Sequence, residues 1–393
     1  MKQLLRIVAI LLLGSCFHRA GATGFNGVYV WGGYLSGYSG ANAVQHSVGY
    51  ALARGWNTVR IAITPGEMAS AGITAQCATP SLACFAQIEF ASGVWDNPAL
   101  QRVIITTLDW SCYQYEPASL NTGCLYAPDL TANQTAIEDE YTGLFNVLKS
   151  RFGTRNVQFI IDNWEGDNFV YCGAAFAFGQ VAATAASCEA TFPSGQTNSQ
   201  RVAALVQWVG YRDAAVASFV ASNPGFNLIS ALQFNSMTLF CQGNTTVASV
   251  CATQNSGCHG YCDPATDTVL DQVTAAGGRA YCDYSSYDSL NNNSLPTDVL
   301  NILSRGCGQL IIGEVGASGS AADGYTPSSA QTVFSQQACV ADKIPNVMGS
   351  VIWNLIWPSS GERYGMYNQS GSALNVGNIG CLFPAQPAAP MWK

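Results

Sequence analysis

Apolar and β-branched residues gather along this chain in eight short runs, at 27–31, 58–63, 102–109, 157–163, 227–234, 279–284, 309–313 and 348–353. Such runs are too short for core helices and suit strands buried on both faces. Between them the apolar period changes to that of a helix. Ile137, Tyr141, Leu144, Phe145 and Leu148 mark a helix over 135–152. Val202, Leu205, Val206, Val209 and Val216 mark another over 200–222. Helices are also predicted over 43–54, 267–276, 296–305 and 328–342, while the patterns after the second and eighth runs are weak. Strands alternating with helices imply parallel pairing through right-handed crossovers, and eight units imply closure into a (β/α)₈ TIM barrel. The alternative is an open doubly wound sheet. Its phosphate-binding G-x-G-x-x-G turn is missing after the first run, where Trp31-Gly32-Gly33-Tyr34 stands instead, and neither a Walker A sequence nor G-x-S-x-G occurs. With no linker, low-complexity tract or repeat, residues 23–393 read as a single barrel domain.

The long segments 64–101, 110–133, 165–199 and 236–267 follow strands, so a barrel carries them on its C-terminal face, where active sites sit. They hold ten of the fifteen cysteines. Pairing by proximity gives Cys77/Cys84, Cys112/Cys124, Cys172/Cys188, Cys241/Cys251, Cys258/Cys262, Cys282/Cys307 and Cys339/Cys381, leaving Cys16 over. Bridges in such loops offset the entropy of holding a cleft shape. The stretch Cys258-His259-Gly260-Tyr261-Cys262 has the look of a zinc site as well, but His46 and His259 are the only histidines after residue 22, so a disulfide is the favoured reading and no metal is expected.

Composition adds a location. Lys2, Arg6, the apolar stretch 7–13 and Ala20-Gly21-Ala22 form an export signal over 1–22. Leu13-Gly14-Ser15-Cys16 competes as a lipobox that would anchor Cys16 to lipid. Neither reading gives a membrane span, which needs ~20 apolar residues. Charged residues make up only 10% of the chain against the roughly 25% usual for soluble proteins. Its sixteen scattered basic residues and net charge of −8 exclude a nucleic-acid partner, which needs clustered Lys and Arg. A surface built from Ser, Thr, Asn, Gln and Gly suits an exported monomer acting on a neutral polymer.

Candidate chemistry stands at two strand ends. Glu165 follows the fourth run in Asp162-Asn163-Trp164-Glu165, and Glu314 follows the seventh in Ile312-Gly313-Glu314-Val315. An ionised side chain after an apolar strand is costly unless it reaches the barrel mouth. The ends of strands four and seven face each other there, and two carboxylates so placed can divide glycoside cleavage between an acid and a nucleophile. Asp162 and Asp167 remain alternatives to Glu165 as the acid.

Here the chain resembles clan A of the glycoside hydrolases, as a distant member nearest to family 5. Ile312-Gly313-Glu314-Val315-Gly316 resembles that family's strand-seven motif, Asn57-Thr58-Val59-Arg60-Ile61 its strand two, and Ser350-Val351-Ile352-Trp353 its strand eight. The turn after strand eight is matched by Tyr364-Gly365-Met366-Tyr367-Asn368-Gln369-Ser370-Gly371. The resemblance implies a retaining glycosidase without cofactor. Glu165 is then the acid/base, Glu314 the nucleophile, Arg60 the group that steadies it and Trp353 the floor of the sugar site. Two positions depart from the family. Trp164 replaces the Asn before the acid/base, so Asn163 or Asn168 must hold the sugar 2-hydroxyl. Strand six has Cys282-Asp283-Tyr284-Ser285-Ser286-Tyr287 without the usual His, leaving Tyr284 or Tyr287 to donate to the nucleophile. Trp31 and Trp110, after the first and third runs, complete the candidate sugar contacts. An endo-acting enzyme on a neutral polysaccharide is the expected function. The alternative is an inactive barrel that binds carbohydrate or serves in adhesion.

Overall fold

In a computed structural model the chain is described over residues 24–32, 36–110, 130–153, 155–164, 166, 170–172, 182–191, 198–234, 278–286, 294–316, 331–357, 365–368, 370–371 and 380–382. All eight apolar runs form strands. They are β1 (Phe25–Tyr29), β2 (Thr58–Ile63), β3 (Arg102–Thr107), β4 (Gln158–Asp162), β5 (Leu228–Ser230) with β6 (Leu232–Phe234), β7 (Arg279–Ser285), β8 (Cys307–Val315) and β9 (Val347–Ile352). Every pairing is parallel, in the order β5-β4-β3-β2-β1-β9-β8-β7-β6. The fifth run, expected as one strand, is broken at Ala231. Its first half pairs with β4 and its second with β7, and this single strand closes the barrel. Buried Arg212 bridges the break, with Nε donating to Ser230 Oγ at 3.0 Å and a second nitrogen to the Ala231 carbonyl.

The described helices are α1 (Ala41–Ala53), α2 (Pro65–Ser70), α3 (Leu82–Glu89), α4 (Gln134–Phe152), α5 (Ala182–Glu189), α6 (Asn198–Ser222) and α7 (Leu295–Ser304). Helix α4 buries Ile137, Tyr141, Leu144, Phe145, Leu148 and Phe152, one face at helical spacing, and ends on Lys149 and Arg151, which suit a helix C-terminus. The weak pattern after the second run resolves into α2 and α3, each short and capped, by Thr64 and by Ser81. The predicted helix 328–342 is described from residue 331, where a π-helical turn (Phe334–Ala338) runs into Cys339–Ala341. The predicted helix 267–276 and the segment 1–22, with Cys16, lie outside the described residues.

Strand alternation divides the core in two. Val59, Ile61, Phe159, Ile161, Cys282 and Tyr284 point outward and pack against the helices. Tyr29, Ile104, Ile160, Ala231, Ile311 and Val351 point inward and fill the barrel. Four of the expected disulfides are present among the described residues, Cys77–Cys84, Cys172–Cys188, Cys282–Cys307 and Cys339–Cys381. The other three pairs lie outside them. No helix among the described residues is long and apolar enough to cross a membrane.

Candidate active site

Beyond the apolar filling, the inward positions turn polar. Arg60 on β2, Thr106 on β3, Asp162 on β4, Gln233 on β6 and Asp283 and Ser285 on β7 are all buried. Burying this much charge demands pairing, and Arg60 supplies it. Its Nε donates to Thr106 Oγ1 at 2.8 Å, and its terminal nitrogens lie 3.2 Å from Asp162, 3.3 Å from Asp283 and 3.9 Å from Glu314. The Tyr29 ring lies 4.7 Å from the guanidinium carbon. Three carboxyl groups around one cation leave negative charge in excess. Asp283 relieves it. Burial first, then the charges of Asp162 and Glu314, push its carboxyl well above the usual carboxylate range against the pull of Arg60, so its neutral form is favoured.

Glu314 owes its position to an irregularity in β8. The register against β9 shifts between Ile312 and Val315, and Glu314 itself has φ of 51°, a left-handed conformation rare outside glycine. A bulge of this kind re-aims one side chain, and the strain of such a residue, about 1–3 kcal/mol, persists only where the surroundings impose it. Here Ser285 Oγ donates to Glu314 Oε2 at 2.9 Å and Gln233 Nε2 approaches Oε1 at 3.4 Å. Gly313 is required just before it, because a Cβ there would collide with the Asp283 carboxyl group.

Three tryptophans border the mouth. Trp353, after β9, lies 5.4 Å from Trp31, after β1, and Trp31 lies 6.4 Å from Trp164, after β4. All three rings are half-buried, as a platform for an amphipathic ligand requires. Asn163 is buried, and its amide is committed to the backbone of Gln233, donating to the carbonyl at 2.8 Å and accepting from the N–H at 3.2 Å. It braces β4 against β6.

Two expected contacts are not brought to this cluster. Tyr284 points outward, its hydroxyl donating to Asp298 of α7 at 3.4 Å, because its neighbours Asp283 and Ser285 take the inward positions of the same strand. The donor to Glu314 from this strand is Ser285. Trp110 packs edge-on against Phe85 of α3, in the strand–helix layer, with its backbone N–H held by Glu140 at 2.9 Å. Glu165, Asn168 and Tyr287 lie outside the described residues. Sequence reading also passed over Ser285, Gln233 and Asp283. The signal was present for Gln233 and Asp283, each a polar residue flanked by outward apolar ones in a period of two, and weaker for Ser285, which Ser286 follows.

Fold and site together define a (β/α)₈ barrel with a buried cluster of carboxyl groups at its mouth. No protein-family model matches the chain, and no curated protein does. Solved structures do. A family 5, subfamily 18 glycoside hydrolase from Bifidobacterium longum subsp. infantis superposes with a TM-score of 0.55 at 11% identity, covering 92% of this chain and 77% of that one. A family 5, subfamily 4 broad-specificity endoglucanase from Clostridium longisporum gives 0.50 at 11% identity, over 93% and 97% of the two chains. A β-glucosidase from Thermotoga maritima gives 0.50 at 11% identity, over 92% and 97%. At such identities the likeness is one of fold, and at that level it agrees with the resemblance carried by the strand-end motifs.

Proposed function

We propose that this chain is an exported retaining glycoside hydrolase that acts within neutral polysaccharide chains. The observation that carries the reading is Glu314, a carboxylate buried at a barrel mouth on a strained bulge, with a hydroxyl, an amide and a guanidinium converging on it. Groups that fix a carboxylate in one rotamer preorganise it for attack on a bound carbon. In the proposed cycle Glu165 protonates the leaving oxygen while Glu314 attacks the anomeric carbon. The glycosidic bond breaks and a glycosyl ester forms on Glu314. Glu165, now ionised, takes a proton from water, and the resulting hydroxide equivalent displaces Glu314. Retention in this scheme places the two carboxyl groups ~5–5.5 Å apart. Arg60 holds Glu314 in place and Asn163 positions the end of β4. Trp353, Trp31 and Trp164 present faces to sugar rings, and Asn168 and Tyr287 add polar contacts. The four described disulfides fit an oxidising compartment, in keeping with export of a 23–393 barrel, either free or anchored at Cys16.

The test is reducing-sugar release from β-1,4-glucan, β-1,4-mannan, β-1,3-glucan and xylan by the wild type, Glu314→Gln and Glu165→Gln. Release by the wild type and loss in both variants supports the reading. Full release by either variant removes that glutamate from the mechanism. Binding without release by the wild type favours a carbohydrate-binding barrel.

A further inference from the structure

Beside the carboxylate cluster lies a cavity of about 270 Å³. Trp31 and Trp164 belong both to it and to the mouth, while Trp208 of α6 and the turn that carries Glu67 after β2 complete its lining. Mostly apolar walls with few polar groups are the usual make-up of a small-molecule site, and the volume lies at the low end for one. It suits a single sugar unit rather than a stretch of chain.

Most polar side chains around this cavity are spent inside the protein. Thr107 Oγ1 donates to the Asp162 carbonyl at 2.9 Å, and Trp208 Nε1 donates to Asp109 at 2.7 Å. The Asn163 amide serves the Gln233 backbone. Glu67 differs. Its backbone N–H is bonded to Thr64 Oγ1 at 3.3 Å, which caps α2 and fixes the residue in place. Its carboxyl group has no hydrogen bond or ion pair among the described residues, and partial burial with no offsetting partner raises its pKa above the ordinary value. A half-buried carboxylate without protein donors keeps its acceptor positions available at the cavity wall, and a ligand hydroxyl that donates to it forms a charge-assisted hydrogen bond. Tryptophan faces alongside accept the C–H surface of a pyranose ring. A ligand carboxylate in the same place would meet like charge in a half-desolvated pocket.

We propose that this cavity is a subsite for one neutral pyranose unit of the substrate, and that Glu67 selects this unit by accepting hydrogen bonds from its hydroxyls and repels units that carry a carboxylate. The inference rests on the glycosidase reading of the neighbouring mouth. It makes Glu67 a specificity residue that takes no part in bond cleavage.

The experiment compares wild type, Glu67→Ala and Glu67→Gln on the oligosaccharide series, two to six units long, of whichever panel polymer the wild type cleaves. Loss of a hydrogen bond to a charged group predicts a KM for Glu67→Ala raised about 10–100-fold on the longer members, with kcat nearly unchanged. An aryl monoglycoside, too short to fill the cavity, is turned over equally by all three proteins. Glu67→Gln, in addition, gains relative activity on uronate-bearing oligosaccharides. Equal KM values for wild type and Glu67→Ala across the series overturn the proposal, as does an equal loss on short and long substrates. If the wild type cleaves nothing, the glycosidase reading fails separately, and the subsite is tested by tryptophan fluorescence with cello-, manno- and xylo-oligosaccharides. Quenching in the wild type that weakens in Glu67→Ala then supports the subsite. Equal quenching in both, or none in either, overturns it.

Discussion

Replacing Arg60 with Met tests how the mouth is held together. The guanidinium is fully buried and lies 3.2 and 3.3 Å from Asp162 and Asp283. At an effective dielectric of about 20, the contact with Asp162 is worth about 5 kcal/mol of Coulomb attraction, much of it offset by the desolvation of the charges, while Asp283, favoured in its neutral form, adds a hydrogen bond. Removing the cation keeps that desolvation and loses the attraction, which costs about 3–5 kcal/mol for a buried pair. At about 2.1 cal/mol/K of unfolding entropy per residue, a barrel of this size loses about 4–6 °C in Tm. The loss carries a pH signature. Without Arg60, burial and mutual repulsion act unopposed against the ionised forms of the buried carboxyl groups. Their destabilising effect therefore grows as pH rises above about 4 and is relieved as pH falls. Thermal unfolding followed by circular dichroism from pH 4 to pH 8 reads both effects. The reasoning predicts a Tm gap between wild type and Arg60→Met that widens with pH. A gap that stays constant, or one below 1 °C at pH 7, would refute the claim that Arg60 neutralises this cluster.

Glu89, at the end of α3, offers a second test, because both of its carboxyl oxygens are buried without a hydrogen-bond partner among the described residues and burial pushes its pKa from 4.5 to about 8. A folded-state value raised above the unfolded one gives stability that is complete below about pH 4.5 and declines towards pH 8, so Glu89→Gln gains on the wild type over that window, by about 3 kcal/mol at pH 7. Urea unfolding at pH 4, 6 and 8 measures this, and parallel pH profiles for the two proteins would contradict it. Ser285→Ala removes the 2.9 Å donor to Glu314. A kcat lowered roughly 10–100-fold with a Tm lowered by no more than about 2–4 °C is expected, since a hydrogen bond to a charged group is worth about 1.5–3 kcal/mol, and steady-state kinetics with an unaltered rate would remove Ser285 from the site.

Much of this barrel is legible before folding because its strands are buried on both faces and read as uninterrupted β-branched runs, as Val103-Ile104-Ile105 does. The cysteines in the described regions pair with near neighbours, so proximity along the chain was a sound guide to Cys77–Cys84 and Cys172–Cys188. The limits have physical causes. A break of one residue at Ala231 leaves no mark in an apolar run, since it depends on Arg212 reaching from α6. The orientation of β7 is decided by which of Asp283 and Tyr284 faces Arg60, and that contact joins residues 223 apart in sequence. An aromatic ring beside a strand end, such as Trp110, suits a sugar site and a helix interface equally, and Phe85 decides between them. Glu89 looks like any solvated residue at a helix end until Trp95 and Gln45 pack over its backbone carbonyl.

The most direct test of the central claim is to trap the glycosyl ester. A 2-deoxy-2-fluoro glycoside of the sugar that the enzyme accepts, bearing a good leaving group, slows breakdown of the ester and leaves it on the protein for peptide mass spectrometry. The account predicts one added fluoroglycosyl mass, on the peptide that contains Glu314, and none in Glu314→Gln. A label on another carboxylate, or release of an inverted product with no label at all, would contradict it.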